Sequence, residues 1–232
     1  MTQTDRKALV ALYNATGGAK WKENRNWNTS AALSRWYGVK VNSQGRVVKL
    51  SLEGNNLQGV ILRFLSCDLV DLPREPFDRQ WPLHEVASLA TCHNVVSFVR
   101  SRHIPPQLGD LSALTHLYLN SNKLDGPIPK ELGALSRLEK LRLYNNNLTG
   151  SIPEELGKLI ALKELSLERN NLSGSIPPEL GKLAALLELK LARNQLTGFI
   201  PPELGELAAL HYIDLSDNQL TGEFAQQYVF EA

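Results

Sequence analysis

The chain has 232 residues, 43% of them hydrophobic and 21% charged, which is enough for one domain with a self-sufficient core. A net charge of +1 gives no electrostatic reason to expect nucleic acid or an anionic membrane as partner. No stretch approaches the ~20 apolar residues of a membrane helix, and the two cysteines, Cys67 and Cys92, make no disulfide framework.

The first element is an N-terminal cap over residues 1–46. Its opening run, MTQTDRKALVALY, is too polar and its apolar stretch too short for a secretion signal. That predicts a cytoplasmic protein, or an extracellular one if a signal-peptide exon precedes Met1. Leu9, Leu12 and Tyr13 share one face of a short helix that starts near Thr4 or Asp5 and ends at Gly17-Gly18. Trp21, Trp27 and Trp36 follow, and are expected to cover the end of the stack that begins after them.

From Val47 to Gly59 the spacing of Val47, Leu50, Leu52, Asn55, Leu57 and Gly59 fits the first half of a repeat unit. The second half, expected as x-Ile-Pro-x-x-Leu-Gly-x-Leu, comes only at Ile104-Pro105-Pro106-Gln107-Leu108-Gly109-Asp110-Leu111. The delay is 43 residues, which is no multiple of the later period, so residues 60–103 read as an out-of-register insert rather than as degenerate repeats. Two readings compete: a long inserted loop, or translated intron. The latter is favoured, because 43 codons keep the frame and every codon of Val60 begins with GT. A loop would bulge from the convex or edge side. Cys67, His84, Cys92 and His93 lack the paired spacing of a zinc site, and no metal or other cofactor is expected.

Regular repeats occupy residues 104–224. Gly126, Gly150, Gly174, Gly198 and Gly222 are each 24 residues apart, and Leu114, Leu138, Leu162, Leu186 and Leu210 keep the same step. The unit is LxxLxLxxNxLxGxIPxxLGxL. Its LxL pairs, such as Leu141 and Leu143, place both leucines on one side of a short strand. Asn122, Asn146, Asn170, Asn194 and Asn218 fall where the chain turns inward, where a buried amide can pair backbone groups of neighbouring coils. The glycine after the next leucine suits a place that a β-carbon would crowd, and Ile-Pro favours an extended or short helical return. Coils of this kind stabilise one another in a row. The fold class is α/β: a right-handed solenoid of 24-residue repeats, with a parallel concave β-sheet and a short helical or extended convex side.

The halves LxGxIPxxLGxL resemble the plant-type leucine-rich repeat, from Leu114 to about Phe224 with a broken first copy at Val47–Gly59. The resemblance implies a recognition module for protein or peptide. The cap, with Trp36-Tyr37-Gly38-Val39 and Gly45-Arg46-Val47, is similar to plant caps but carries Leu33, Ser34, Lys40 and Val41 where secreted ones usually have a cysteine pair nearby. DRKALVALYNATGGAKW is more similar to caps of intracellular algal-type proteins, some of which continue into a Roco-type GTPase; no Walker A pattern occurs here.

No GxSxG, HExxH or phosphate loop is present, so no enzyme is expected. Function then falls to strand residues that point away from the core. Coil by coil these are Lys49, Ser51 and Glu53; His116, Tyr118 and Asn120; Lys140, Arg142 and Tyr144; Glu164, Ser166, Glu168 and Arg169; Glu188, Lys190 and Arg193; Tyr212, Asp214 and Asp217. His116, Tyr118, Lys140, Arg142 and Tyr144 form a basic-aromatic cluster, of the types that anchor interfaces, beside coils that turn acidic. The expected function is non-catalytic protein or peptide binding on this face. The alternative is the sensing region of a larger signalling protein, a Roco-like GTPase or a receptor. Sequons at Asn14, Asn28, Asn147 and Asn171 are weak signs of secretion, since two belong to the repeat itself. The tail 225–232 cannot make a coil. Either Phe224, Tyr228, Val229 and Phe230 fold back as a makeshift cap, or the chain is a fragment whose natural continuation is missing; an exposed coil end would invite self-association.

Overall fold

The computed structural model describes residues 2–58, 61–63, 97–99, 102–222 and 229–231. Helix α1 spans Thr2–Ala15, starting slightly before the expected Thr4 or Asp5. Ala8, Leu9 and Leu12 are fully buried, as the spacing of its apolar residues requires. Trp21, Trp27 and Trp36 are also buried; Trp21 and Trp27 meet edge to face at 4.8 Å, and Trp27 and Trp36 meet tilted at 45° and 5.0 Å. Each indole N–H donates to a backbone carbonyl, of Thr16, Tyr37 and Ala31 respectively, so the aromatic cover leaves no buried donor unpaired.

Asp5, fully buried, ties this cap to the stack. Its carboxylate accepts the Val47 N–H at 2.8 Å and pairs with the Arg46 guanidinium at 2.9 Å. The same hydrogen bond holds Arg46 above its ordinary pKa. The sequence carries no sign of this contact, because Asp5 sits within an ordinary helix start.

The concave sheet runs in the order β1 (Val39–Val41), β2 (Val47–Ser51), β5 (His116–Tyr118), β7 (Lys140–Arg142), β9 (Glu164–Ser166), β11 (Glu188–Lys190), β13 (Tyr212–Asp214) and β15 (Val229–Glu231). From β2 to β13 the strands are parallel, and Lys140, Glu164, Glu188 and Tyr212 stand opposite one another at 24-residue steps. β1 and β15 close the two edges in antiparallel sense. Edge strands are open templates, so β15 occupies the place where another chain would pair with β13. Phe224 and Tyr228 lie outside the described residues.

A second parallel sheet was not expected. It consists of β6 (Asp125–Gly126), β8 (Asn147–Gly150), β10 (Asn171–Gly174), β12 (Gln195–Phe199) and β14 (Gln219–Thr221), between the asparagine turn and Ile-Pro. Each return is then a 3₁₀ turn, as at Lys130–Ala134, Glu154–Lys158 and Pro178–Lys182. The core between the two sheets is a continuous leucine column, with Leu141, Leu143, Leu165, Leu167, Leu189 and Leu191 fully buried.

The glycine expected to sit in a crowded place is needed for a different reason. Gly150 and Gly174 are required by a left-handed backbone, φ +76° and +77°; a β-carbon there would meet nothing nearer than 3.6 Å. Crowding falls on the other glycine: a β-carbon on Gly133, Gly157 or Gly181 would lie 2.4 Å from the carbonyl oxygen of Glu155, Glu179 or Glu203 on the next coil.

Two described pairs frame the insert. β3 (Ile61–Arg63) and β4 (Ser97–Val99) pair antiparallel, Leu62 opposite Phe98. On β6 and the residue pair before it, Lys123 N–H donates to Leu57 and Asp125 N–H to Arg102. Those donors are two residues apart while their acceptors are 45 apart, an excess of 43. The first coil is thus completed by residues from both sides of the insert. A chain lacking Val60–Arg102 keeps Gly59 beside His103 and Ile104, and is expected to melt cooperatively at a temperature no lower than the full chain. A drop of more than about 5 °C, roughly 1–2 kcal/mol for this size, would show that the segment contributes to the stack.

Candidate concave binding face

The concave strands present two ranks of side chains. Register sets Lys49, His116, Lys140, Glu164, Glu188 and Tyr212 side by side in one rank, and Ser51, Tyr118, Arg142, Ser166, Lys190 and Asp214 in the other. Thus the predicted residues do converge on one face, and alternation along each strand is the cause.

Their availability differs from the expectation. Tyr118 is 8% exposed, clamped between the Lys49 ammonium at 4.6 Å and the Arg142 guanidinium at 4.8 Å from its ring. Arg142 also holds Glu164 with two bonds, Nε to Oε1 at 2.6 Å and a second guanidinium nitrogen to Oε2 at 2.9 Å. Lys140 adds a contact to Glu164 at 3.4 Å. Burial pushes the Glu164 carboxyl up, but the Arg142 bonds and Lys140 outweigh it and hold the group below its usual range. The Glu164 bond likewise raises Arg142. Glu164, Ser166 and Asn120 are buried at 5%, 1% and 2% exposure, so these three support the face rather than present themselves on it. Asn120 is enclosed, although Tyr144 and Glu168 at the equivalent place on the next two coils are partly open.

His116, Lys140, Arg142, Tyr144, Glu168, Lys190, Tyr212 and Asp214 remain partly open, and Arg169 is exposed. Lys190 pairs with Glu188 at 2.6 Å and lies over the Tyr212 ring at 5.2 Å, while Arg193 pairs with Asp217 at 3.1 Å. Beside the small Ala192, a hollow of about 560 Å³ opens, lined by Tyr144, Glu168, Arg169 and Asp214 among others. Glu168 Oε2 is buried there without a hydrogen-bond partner among the described residues, and burial pushes its carboxyl up. Sequence reasoning missed Thr115, whose hydroxyl lies 2.8 Å from His116 Nδ1. A threonine before the strand carries no signal that it will touch its neighbour's ring. Cys67, His84, Cys92 and His93 lie outside the described residues.

Comparison with known proteins agrees with the fold. Leucine-rich-repeat family models match residues 113–135, 136–182 (two copies) and 160–220. No curated protein matches the chain. Among solved structures, a plant ice-binding protein is 28% identical over 95% of this chain and 57% of its own, with a TM-score of 0.68. The BIR2 ectodomain from Arabidopsis thaliana is 27% identical over 96% of each chain, at 0.65. A TDR receptor is 39% identical over 52% of this chain, at 0.52, and the chain spans only 21% of its length. The expected cytoplasmic location gains no support from an ectodomain and a receptor. Among the described residues no helix is long and apolar enough to cross a membrane. Over residues 113–220 the chain is built of leucine-rich repeats, and its fold is similar to that of a plant ectodomain.

Proposed function

We propose that the chain is a non-catalytic module that binds a protein or peptide on its concave face, centred on Tyr118, Arg142 and Tyr144. The observation that carries this reading is the clamp of Lys49, Tyr118, Arg142 and Glu164, which fixes an aromatic-arginine pair in place before any partner arrives. Pre-ordered anchors of these types lose little entropy on binding. Likeness to a receptor and to an ectodomain favours the extracellular and receptor alternatives over a GTPase context. For an identified partner, Tyr118→Ala with Arg142→Ala should weaken binding by at least about 30-fold, roughly 2 kcal/mol. Tyr144→Ala, which breaks no ion pair, checks that the loss is not misfolding. Full affinity in both variants removes the reading.

A second reading rests on the other sheet. Thr149, Ser173, Thr197 and Thr221 take equivalent places on β8, β10, β12 and β14, three of them exposed. Register offsets neighbouring strands by two residues, with Thr149 opposite Asn171, Ser173 opposite Gln195 and Thr197 opposite Gln219, so the hydroxyls recur once per coil among polar neighbours. An ice surface could adopt such a regular array, and one similar structure is a plant ice-binding protein. Thermal hysteresis abolished by Thr149→Lys with Thr197→Lys would establish it; ice growth unaffected by the unaltered chain would dismiss it.

A further inference from the structure

The geometry points to a carboxylate seat at Lys49, His116 and Lys140: an acidic side chain of the partner binds there, and His116 tightens that binding as the pH falls. This rests on the concave-face reading and adds the partner's chemistry to it.

Lys49, His116 and Lys140 are direct cross-strand neighbours on β2, β5 and β7, partly open to solvent. Adjacent strands are about 4.8 Å apart, so one carboxylate over His116 lies within reach of both ammonium groups. The local charge is in surplus. Lys49, Lys140 and Arg142 face the imidazole; Glu164 is the buried counter-ion of Lys140 and Arg142 only, while Glu139 is taken by Lys163 at 2.7 Å.

The hydrogen bonds decide the state of the ring. Thr115 has one hydroxyl hydrogen, and donates it to the Val48 carbonyl at 2.8 Å. With that hydrogen so placed, its oxygen accepts from His116 at 2.8 Å and the neutral ring carries its hydrogen on Nδ1. Tyr118 meets the ring edge to face at 5.8 Å and holds it in that plane. Neutral His116 thus keeps a lone pair on Nε2, which has no partner among the described residues and opposes a carboxylate. Protonation turns the same atom into a donor. Burial first, then Lys49, Lys140 and Arg142, push the pKa of His116 below 6.5 against a smaller upward pull from Glu139. A bound carboxylate supplies the missing negative charge and raises it, so association takes up a proton.

A labelled oligoglutamate peptide serves as the probe. Its affinity should rise about 5- to 10-fold from about pH 7.5 to about pH 5.5 and fall again near pH 4 as its own carboxyls protonate. His116→Gln should flatten the rise. Nitrogen-15 NMR of the imidazole should show the neutral ring protonated on Nδ1. No binding at any pH, a flat profile in the unaltered chain, a rise that survives His116→Gln, or a neutral ring protonated on Nε2 each overturns the proposal. If Tyr118→Ala with Arg142→Ala still weakens a partner while His116→Gln changes nothing, only this seat fails. If neither variant matters to any ligand, the concave-face reading fails with it.

Discussion

Replacing Asn170 by alanine is expected to lower the melting temperature by about 8–12 °C. The Asn170 amide donates to Leu143 O at 3.1 Å and Leu167 O at 3.0 Å, and its oxygen accepts the Leu148 N–H at 3.0 Å. These partners belong to two successive coils, and the side chain is 8% exposed. Alanine strands the Leu148 N–H and removes one of two amide donors from Leu143 O and Leu167 O, which keep Asn146 and Asn194. At about 1–3 kcal/mol for the stranded donor and about 1 kcal/mol for each of the other bonds, the loss is about 3–4 kcal/mol. For this chain length that corresponds to the shift given, against a total stability of only about 5–15 kcal/mol. Asn218→Ala tests the mechanism. Asn218 makes the same kinds of bond on the last full coil but is only partly buried, so water replaces some of them and the drop should be clearly smaller. Equal shifts at the two positions, or a change under about 2 °C at Asn170, would mean that the ladder does not hold the coils together.

The second large effect is steric. Gly157→Val places a β-carbon 2.4 Å from the Glu179 carbonyl oxygen, and that oxygen is backbone, so it cannot swing aside. Either coil must move as a body, against the leucine column beneath it. Overpacking of this kind costs about 1–3 kcal/mol in side-chain cores and more where backbone must shift, so a loss of at least about 3 kcal/mol is expected by chemical denaturation. Gly205 occupies the same place one coil before the end, where an added β-carbon would have nothing within 4 Å. Gly205→Ala should therefore leave stability within about 0.5 kcal/mol. Comparable losses at both sites would refute the close approach as the cause.

These two residues also show how far the sequence could be read. The asparagine ladder was legible because a buried amide at an inward turn has few other uses, and the leucine column because period two admits one buried side. The glycines were legible as fixed positions but not for their causes: crowding is a property of two coils together, while a positive φ belongs to one. The second sheet escaped notice since LxG between two turns is too short for an alternation signal. On the concave face, the convergence of Tyr118, Lys140, Arg142 and Tyr144 followed from strand alternation. That Glu164 is a buried counter-ion and Asn120 an enclosed group did not, because both depend on contacts between coils. Broken register is the sequence's sign of an insert, and the rungs from Lys123 to Leu57 and from Asp125 to Arg102 are consistent with the same 43-residue excess.

The central claim is that a partner sits on the concave face, and hydroxyl-radical footprinting of the chain saturated with an identified partner tests it most directly. Tyr144 and Tyr212 are partly open on that face, whereas Phe199, 74% exposed, belongs to the second sheet. Concave-face binding predicts that the partner protects Tyr144 and Tyr212 from oxidation and leaves Phe199 as reactive as in the free chain. Protection of Phe199 with both tyrosines unchanged would contradict it.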